Sequence, residues 1–365
     1  MMAKKRKILA ICNTPFQIVI ASHILHTYYK DSEVDILVSD GIRGGEQLAD
    51  NARKTNAFRR VLYIHNRKTF LTEKGWMAKI RYACGRAGEV IRCHQLARTL
   101  ANEGYDELLF TNISILTKLL TTSLLRVNPQ CKICIFEEGM ITYTQTYAAG
   151  DAPHSLYRRL CDREGLLAKV SRVYLRHPEF LRWDVGRAQI FTLPPINPND
   201  WELISMLNKI FDYEHCPDRY DRRIIFFEES HNFEGFDVPD VDIVNRMAEK
   251  VGKENIMIKI HPRNPVNRFA ELGYKTNKDT AVPWEIIMLN EHFSDTIFVT
   301  ISSGAVVAPY LYLEMQSRCY SLLNCLEHRP GYMNGDLGDI MNQLYASSPD
   351  IFIAPTSLND FLQQL

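Results

Sequence analysis

Four short groups carry the chemistry-bearing side chains of this 365-residue chain, and each follows a short apolar run. Glu137-Glu138-Gly139 follows Lys132–Phe136. Adjacent carboxylates offer a general base for a reacting hydroxyl. Successive side chains of a strand point to opposite faces, so only one of Glu137 and Glu138 should reach a given ligand. His261-Pro262-Arg263 follows residues 255–260. An imidazole moves protons near neutrality or, when protonated, steadies a departing phosphate. Pro262 restricts the backbone, and Arg263 offers a fork for phosphate or carboxylate. Ser302-Ser303-Gly304 follows residues 296–301, and two hydroxyls with the first free N–H groups of a helix form an anion cradle. Asn13-Thr14-Pro15 follows residues 7–12 and opens another helix whose amides face the same way. Blander roles fit each group taken alone: helix capping for Thr14, Ser302 and Ser303, a solvated turn for the two acids, a structural role for the histidine. The dipeptide His177-Pro178 recurs without comparable neighbours.

The elements that must position these groups read as alternating short apolar runs and longer helical patterns, the mark of parallel α/β architecture. Strands are expected at 7–12, 33–39, 60–64, 107–111, 132–137 and 171–175, with helices at 14–29, 45–55, 76–103 and 114–128. Three prolines within 192–198 break the rhythm and mark a crossing between domains. A helix at 201–213 and a polar segment follow. The pattern then restarts with strands at 223–227, 255–260, 296–300, 319–323 and 351–354, and helices at 241–252, 284–291 and 304–313. The expected fold class is therefore α/β, with two Rossmann-like, doubly wound domains facing across a cleft. Their expected bounds are 1–195, a crossing segment 196–222, and 223–365. Ligands of such sheets sit beyond the carboxyl ends of the strands, which is where all four groups lie.

Other residues are weaker candidates. Glu285, in Pro283-Trp284-Glu285, can accept from ribose hydroxyls or simply favour a helix start. Between Glu228 and Asp242 lies an acid-rich stretch read as a polar loop over the cleft, any carboxylate of which could be catalytic. It contains Asp240-Val241-Asp242, formally a metal-binding DxD, but without the apolar strand residues that would flank one. Cys131-Lys132-Ile133-Cys134 is formally CxxC, yet it lies in an apolar run with no second pair to complete a zinc site. Lys79, Arg81, Arg86, Arg92, His94 and Arg98 form a basic stretch. It reads first as a solvated helix face and second as a patch for anionic lipid.

Composition excludes several classes. Lys+Arg and Asp+Glu are both 43, and 46% of residues are hydrophobic. A disordered chain has fewer apolar residues and more net charge, and a general nucleic-acid binder carries excess base. Nine scattered cysteines do not form a disulfide framework. The basic start, MMAKKRK, is followed by an apolar run far short of a membrane span. A reduced, cytoplasmic protein is expected.

Three of these groups, Glu137-Glu138-Gly139, His261-Pro262 and Ser302-Ser303, taken in order, resemble the bacterial sialyltransferases of GT-B type, which carry an acidic-acidic-Gly motif, then His-Pro, then a Ser/Thr-rich motif. Residues 11–17 (ICNTPFQ) and Pro283-Trp284-Glu285 are similar to those of the lipooligosaccharide sialyltransferases, glycosyltransferase family 52. The resemblance spans about positions 8–310. It implies a GT-B-like fold and inverting transfer of sialic acid from CMP-sialic acid to a hydroxyl of a surface glycan, such as terminal galactose of lipooligosaccharide or capsule. No metal or resident cofactor is implied; the donor is a substrate. Glu137 or Glu138 would be the base, with the 228–242 acids as its alternative source. His261 would act on the departing CMP phosphate; Ser302, Ser303 and Gly304 would hold it, and Glu285 would meet the ribose. Gly139, Pro262, Arg263, Asn13 and Thr14 would complete the ligand-binding set. Both acids here are Glu, whereas the family often has an Asp at one position. Another nucleotide sugar as donor, or a non-transferring epimerase or binding protein of the same fold, is the alternative. A homodimer and a peripheral contact with the inner membrane face are compatible with the family reading.

Overall fold

The computed structural model describes residues 5–65, 76–151, 164–214, 220–232, 235–277, 282–293, 295–327 and 335–365, without the side chains of 77–83 and 86. Two compact units are present: Met1–Leu193 with Ser205–Asp212, and Pro194–Ile204 with Tyr213–Leu365.

In the first unit, β1 (Lys7–Cys12), β2 (Glu33–Ser39), β3 (Arg60–Ile64), β4 (Glu107–Phe110), β5 (Lys132–Phe136), β6 (Val170–Leu175) and β7 (Gln189–Thr192) pair in the order β3-β2-β1-β4-β5-β6-β7. Every pairing is parallel. Helices α1 (Pro15–Tyr28), α2 (Gly45–Lys54), α3 (Trp76–Ala101), α4 (Ile115–Val127) and α5 (Gln145–Ala149) follow the strands. Right-handed crossovers with this order wind helices onto both faces, so the central strands are covered on each side. That is why Ile8 to Cys12 read as an unbroken apolar run: all five are at most 1% exposed. The edge strand β7 was not expected from sequence; it is only four residues long and largely exposed.

The second unit begins with α6 (Trp201–Phe211), whose last turns group with the first unit. Its sheet contains β8 (Ile224–Phe227), β9 (Ile256–Lys259), β10 (Lys275–Thr276), β11 (Ile297–Thr300), β12 (Cys319–Ser321) and β13 (Phe352–Ile353), in the order β10-β9-β8-β11-β12-β13 and parallel throughout. Helices α7 (Asp240–Val251), α8 (Arg268–Glu271), α9 (Trp284–Asn290), α10 (Ala308–Leu313), α11 (Asp336–Ser347) and α12 (Leu358–Gln364) complete it. Phe227, Trp284, Phe293 and Phe298 pack edge-on or tilted, with ring centroids 4.9–5.8 Å apart. Each such side chain contributes about 1.5–3 kcal/mol by its burial.

Two expectations need correction. The helix expected at 304–313 divides into a 3-10 turn, Gly304–Val306, and the short α10, since Pro309 lacks the N–H that would continue a single ladder. The stretch from Glu228 to Asp242 is not a polar loop throughout. Glu228, Ser230, His231 and Asp240 are buried, and Asp240 and Asp242 open α7. Helices α8, α11 and α12 had not been anticipated. Cys131 and Cys134 are core thiols; burial, with lesser help from nearby acids, pushes Cys131 up to about 12 and Cys134 well above its ordinary value. Among the described residues no helix is long and apolar enough to cross a membrane.

Candidate functional site

Strand order reverses between β1 and β4 in the first sheet and between β8 and β11 in the second. Loops leaving such a pair diverge, and the crevice they open is where doubly wound sheets take ligands. Each switch point carries a cluster of the chemistry-bearing residues.

At the first, Thr14 caps α1 by accepting from the Gln17 backbone at 3.2 Å, and Pro15 occupies the first turn. Gln17 is fully buried, and its side-chain Oε1 accepts from the Asn13 backbone N–H at 2.7 Å. Its amide then donates to Asn112 Oδ1 at 2.8 Å, where Asn13 Nδ2 also donates at 2.9 Å. Two donors on Oδ1 fix which way the Asn112 amide faces, and its Nδ2 donates to Glu138 Oε2 at 3.2 Å. Sequence reading missed Asn112 and left Gln17 unassigned; the available signal was that Asn112 also follows a strand. Gly139 turns the chain after β5 with φ +66°, a backbone region that other residues adopt at a cost.

The adjacent acids part company as strand geometry requires. Glu137 is wholly buried, and its Oε2 accepts from the Tyr143 hydroxyl and from the Arg176 backbone at 2.8 Å. The Tyr143 oxygen in turn accepts from the His177 backbone at 3.1 Å. Burial, then the charge of Glu137, holds the Tyr143 phenol well above its ordinary range. Glu137 thus ties the turn after β5 to the end of β6. Glu138 is only partly buried and meets the Asn112 network.

The second cluster is built on Glu228-Glu229, which continue β8 between β9 and β11. Glu228 Oε2 accepts from the His261 backbone at 3.1 Å, and its Oε1 accepts from Arg268 at 3.1 Å. Arg268 also spans both oxygens of Asp240, at 2.6 and 3.2 Å, so the first acid of the DxD is committed to an ion pair. Asn264 ties the His-Pro loop to the Glu229 carbonyl at 3.0 Å. His261 itself is half-buried, and its Nδ1 accepts from the Arg263 backbone at 3.2 Å, which places the neutral ring's proton on Nε2. Pro262, Arg263 and Gly304 are exposed.

On the other flank, Glu229 Oε1 accepts from the Ser302 backbone and from Thr300 Oγ1 at 3.1 Å. Its Oε2 accepts from Ser302 Oγ at 2.7 Å and lies 2.8 Å from His231 Nε2. Burial pushes this carboxyl up, but the hydrogen bonds of His231 and Ser302 outweigh it and hold the pKa below the ordinary value. Ser303 N–H donates to Thr300 Oγ1 at 2.9 Å, and Ser303 Oγ accepts from Ala305 N–H at 3.3 Å. Glu285 is 8% exposed; burial raises its pKa, and the charge of Lys259, at the end of β9, opposes that. The His-Pro and Ser-Ser loops are therefore joined through Glu228-Glu229, an acid pair that sequence reading noted without singling out. Of the basic stretch, Arg92, His94 and Arg98 are exposed, while the side chains of Lys79, Arg81 and Arg86 lie outside the described residues.

No protein-family profile and no curated protein sequence matches the chain. Solved structures do match it. Arabidopsis thaliana UGT89C1 complexed with UDP-L-rhamnose aligns over 99% of this chain and 89% of its own, at TM-score 0.52 and 11% identity. The S. aureus MnaA-UDP co-structure covers 95% and 90%, at 0.50 and 11%. The UDP-GlcNAc 2-epimerase from Neisseria meningitidis bound to UDP-GlcNAc covers 98% and 90%, at 0.49 and 10%. The chain has a GT-B-like fold. At these identities the likeness concerns the fold alone, and both switch-point clusters belong to this chain's own residues.

Proposed function

We propose that the chain is a nucleotide-sugar-dependent glycosyltransferase, and that its donor is CMP-sialic acid, transferred with inversion to a hydroxyl of a surface glycan. The observation that carries this is that one sheet's switch point holds a partly exposed carboxylate, Glu138, and the other sheet's switch point holds an imidazole and a hydroxyl turn, His261 and Ser302-Ser303. The choice of donor is supported by the order of the acidic-Gly, His-Pro and Ser-Ser motifs and by the strand-turn around Asn13.

The chemistry suits these groups. A CMP-linked sialic acid leaves a tertiary, oxocarbenium-like centre and a single phosphate, so the protein has mainly to position groups and offset phosphate charge. Glu138 takes the acceptor hydroxyl's proton. His261, with its proton on Nε2, donates to the departing phosphate, and the Ser302-Ser303 turn meets the phosphate oxygens. Glu285, at the start of α9, accepts from the ribose. Asp237 and Asp242 remain as alternative bases, whereas Glu228 and Asp240 are engaged by Arg268.

A UDP-sugar donor is the second reading. It is favoured by the fold neighbours complexed with UDP-L-rhamnose and with UDP, at TM-scores of 0.52 and 0.50. Calorimetric titration separates the two readings: CMP should bind and UDP should not, and tight UDP binding without CMP binding transfers the assignment to the second. A screen of donors and acceptors read by mass spectrometry then identifies the product. Sugar epimerised without transfer would point to the non-transferring alternative.

A further inference from the structure

The Glu229 carboxylate gathers its polar partners from Thr300, Ser302 and His231. Its side chain is 10% exposed, and ionised acids so placed survive only where donors replace water. Three donors come from the end of β11: Ser302 N–H and Thr300 Oγ1 on Oε1, and Ser302 Oγ on Oε2; His231 Nε2, from the segment after β8, also lies at Oε2. Through Thr300 the same carboxylate reaches the second serine, because Thr300 Oγ1 accepts the Ser303 N–H while donating to Glu229. One acid therefore orients both serines.

We propose that Glu229 is a positioning residue that preforms the Ser302-Ser303 turn, with Ser302 as its anchor and the Ser303 hydroxyl as the donor presented to an anionic ligand group, a nucleotide phosphate on the reading above. Both donors of Ser302 are spent on Glu229. Ser303 spends its N–H on Thr300, and its oxygen accepts from Ala305. Its hydroxyl hydrogen is what the turn can offer a ligand. A Ser-His-acid nucleophile is excluded by geometry: one nitrogen, His231 Nε2, lies 2.8 Å from Glu229 and 3.2 Å from Ser302 Oγ. A relay needs the two ring nitrogens divided between acid and hydroxyl. Ser302 is held, not activated.

The test is calorimetric titration of the full chain and its variants with CMP and UDP, and in parallel with the phosphate-free nucleosides cytidine and uridine. Ser303→Ala should weaken the bound nucleotide about 10- to 100-fold, the loss of a hydrogen bond to a charged group. Glu229→Gln and Thr300→Val should each weaken it about tenfold, with nucleoside binding unaltered in all three. Damage to the fold would weaken nucleoside and nucleotide together. Should Glu229→Gln not fold, Thr300→Val breaks only the Ser303 arm and decides alone. Nucleotide affinity unchanged in Glu229→Gln or Thr300→Val overturns the proposal, as does a neutral Ser303→Ala beside a non-binding Ser302→Ala. Wild type binding neither CMP nor UDP overturns the functional reading instead. Inorganic phosphate then serves as the probe: binding lost in Ser303→Ala supports the turn, and no binding by wild type sinks both.

Discussion

Glu137 accepts from Tyr143 and from the Arg176 backbone, while Glu138, its neighbour in the chain, accepts from the side chain of Asn112. The two acids should therefore fail differently. Glu138→Gln should lower transfer by about 10²- to 10⁴-fold, the usual range for a lost general base, without moving the unfolding midpoint. Glu137→Gln should lower stability by about 1–3 kcal/mol, because it unbalances a buried hydrogen-bonded pair, a loss that denaturant titration reads directly. At the same scale, Glu229 carries a pH signature. A carboxyl whose folded pKa lies below its ordinary 4.5 stabilises the fold above that value and loses the contribution as pH falls through the folded pKa. Thermal midpoints recorded from pH 7 to pH 3 should fall on acidification, and more shallowly in Glu229→Gln. The motif residues were legible because each follows its strand directly. Asn112, Gln17 and His231 were not, since their roles depend on partners such as Ser302, 71 residues from His231.

Among elements, the buried parallel strands were the easiest to recognise. Central strands covered on both faces read as apolar runs, and Ile8–Cys12, Leu108–Phe110, Ile224–Phe227 and Ile297–Val299 do. Edge strands β7 and β10 escaped notice because they are short, four and two residues, and lack an uninterrupted apolar run. The His-Pro loop is held in place by an element missed in the sequence, α8, whose Arg268 bridges Glu228 to Asp240 at the start of α7. Arg268→Met leaves both acids without their cation. Breaking a buried pair costs about 3–5 kcal/mol; with the Arg268 side chain 33% exposed, solvent screening reduces this to about 1–3 kcal/mol. Chemical denaturation measures it, and amide exchange in residues 261–264 should quicken in the same variant.

For the whole molecule, two sheets of like strand order each place a polar cluster at the point where that order reverses. Nucleotide alone should protect amides near 228–231, 259–263 and 300–305 from hydrogen exchange, and leave 12–17, 111–113 and 137–142 unchanged. Protection confined to the second set would move the donor site to the first unit. The α/β class, the strand-end position of each motif and the division of strands between two sheets were readable in the chain. They follow from hydrophobic periodicity and turn chemistry, which act over a few residues. Which acid faces the strand-end network, which serine anchors and which presents its hydroxyl, and the role of Glu228-Glu229 in joining two loops belong to tertiary structure. These depend on β8 lying between β9 and β11, which brings Glu229 against a serine 73 residues away. No local pattern encodes that adjacency, because strand order is settled by how the whole sheet assembles.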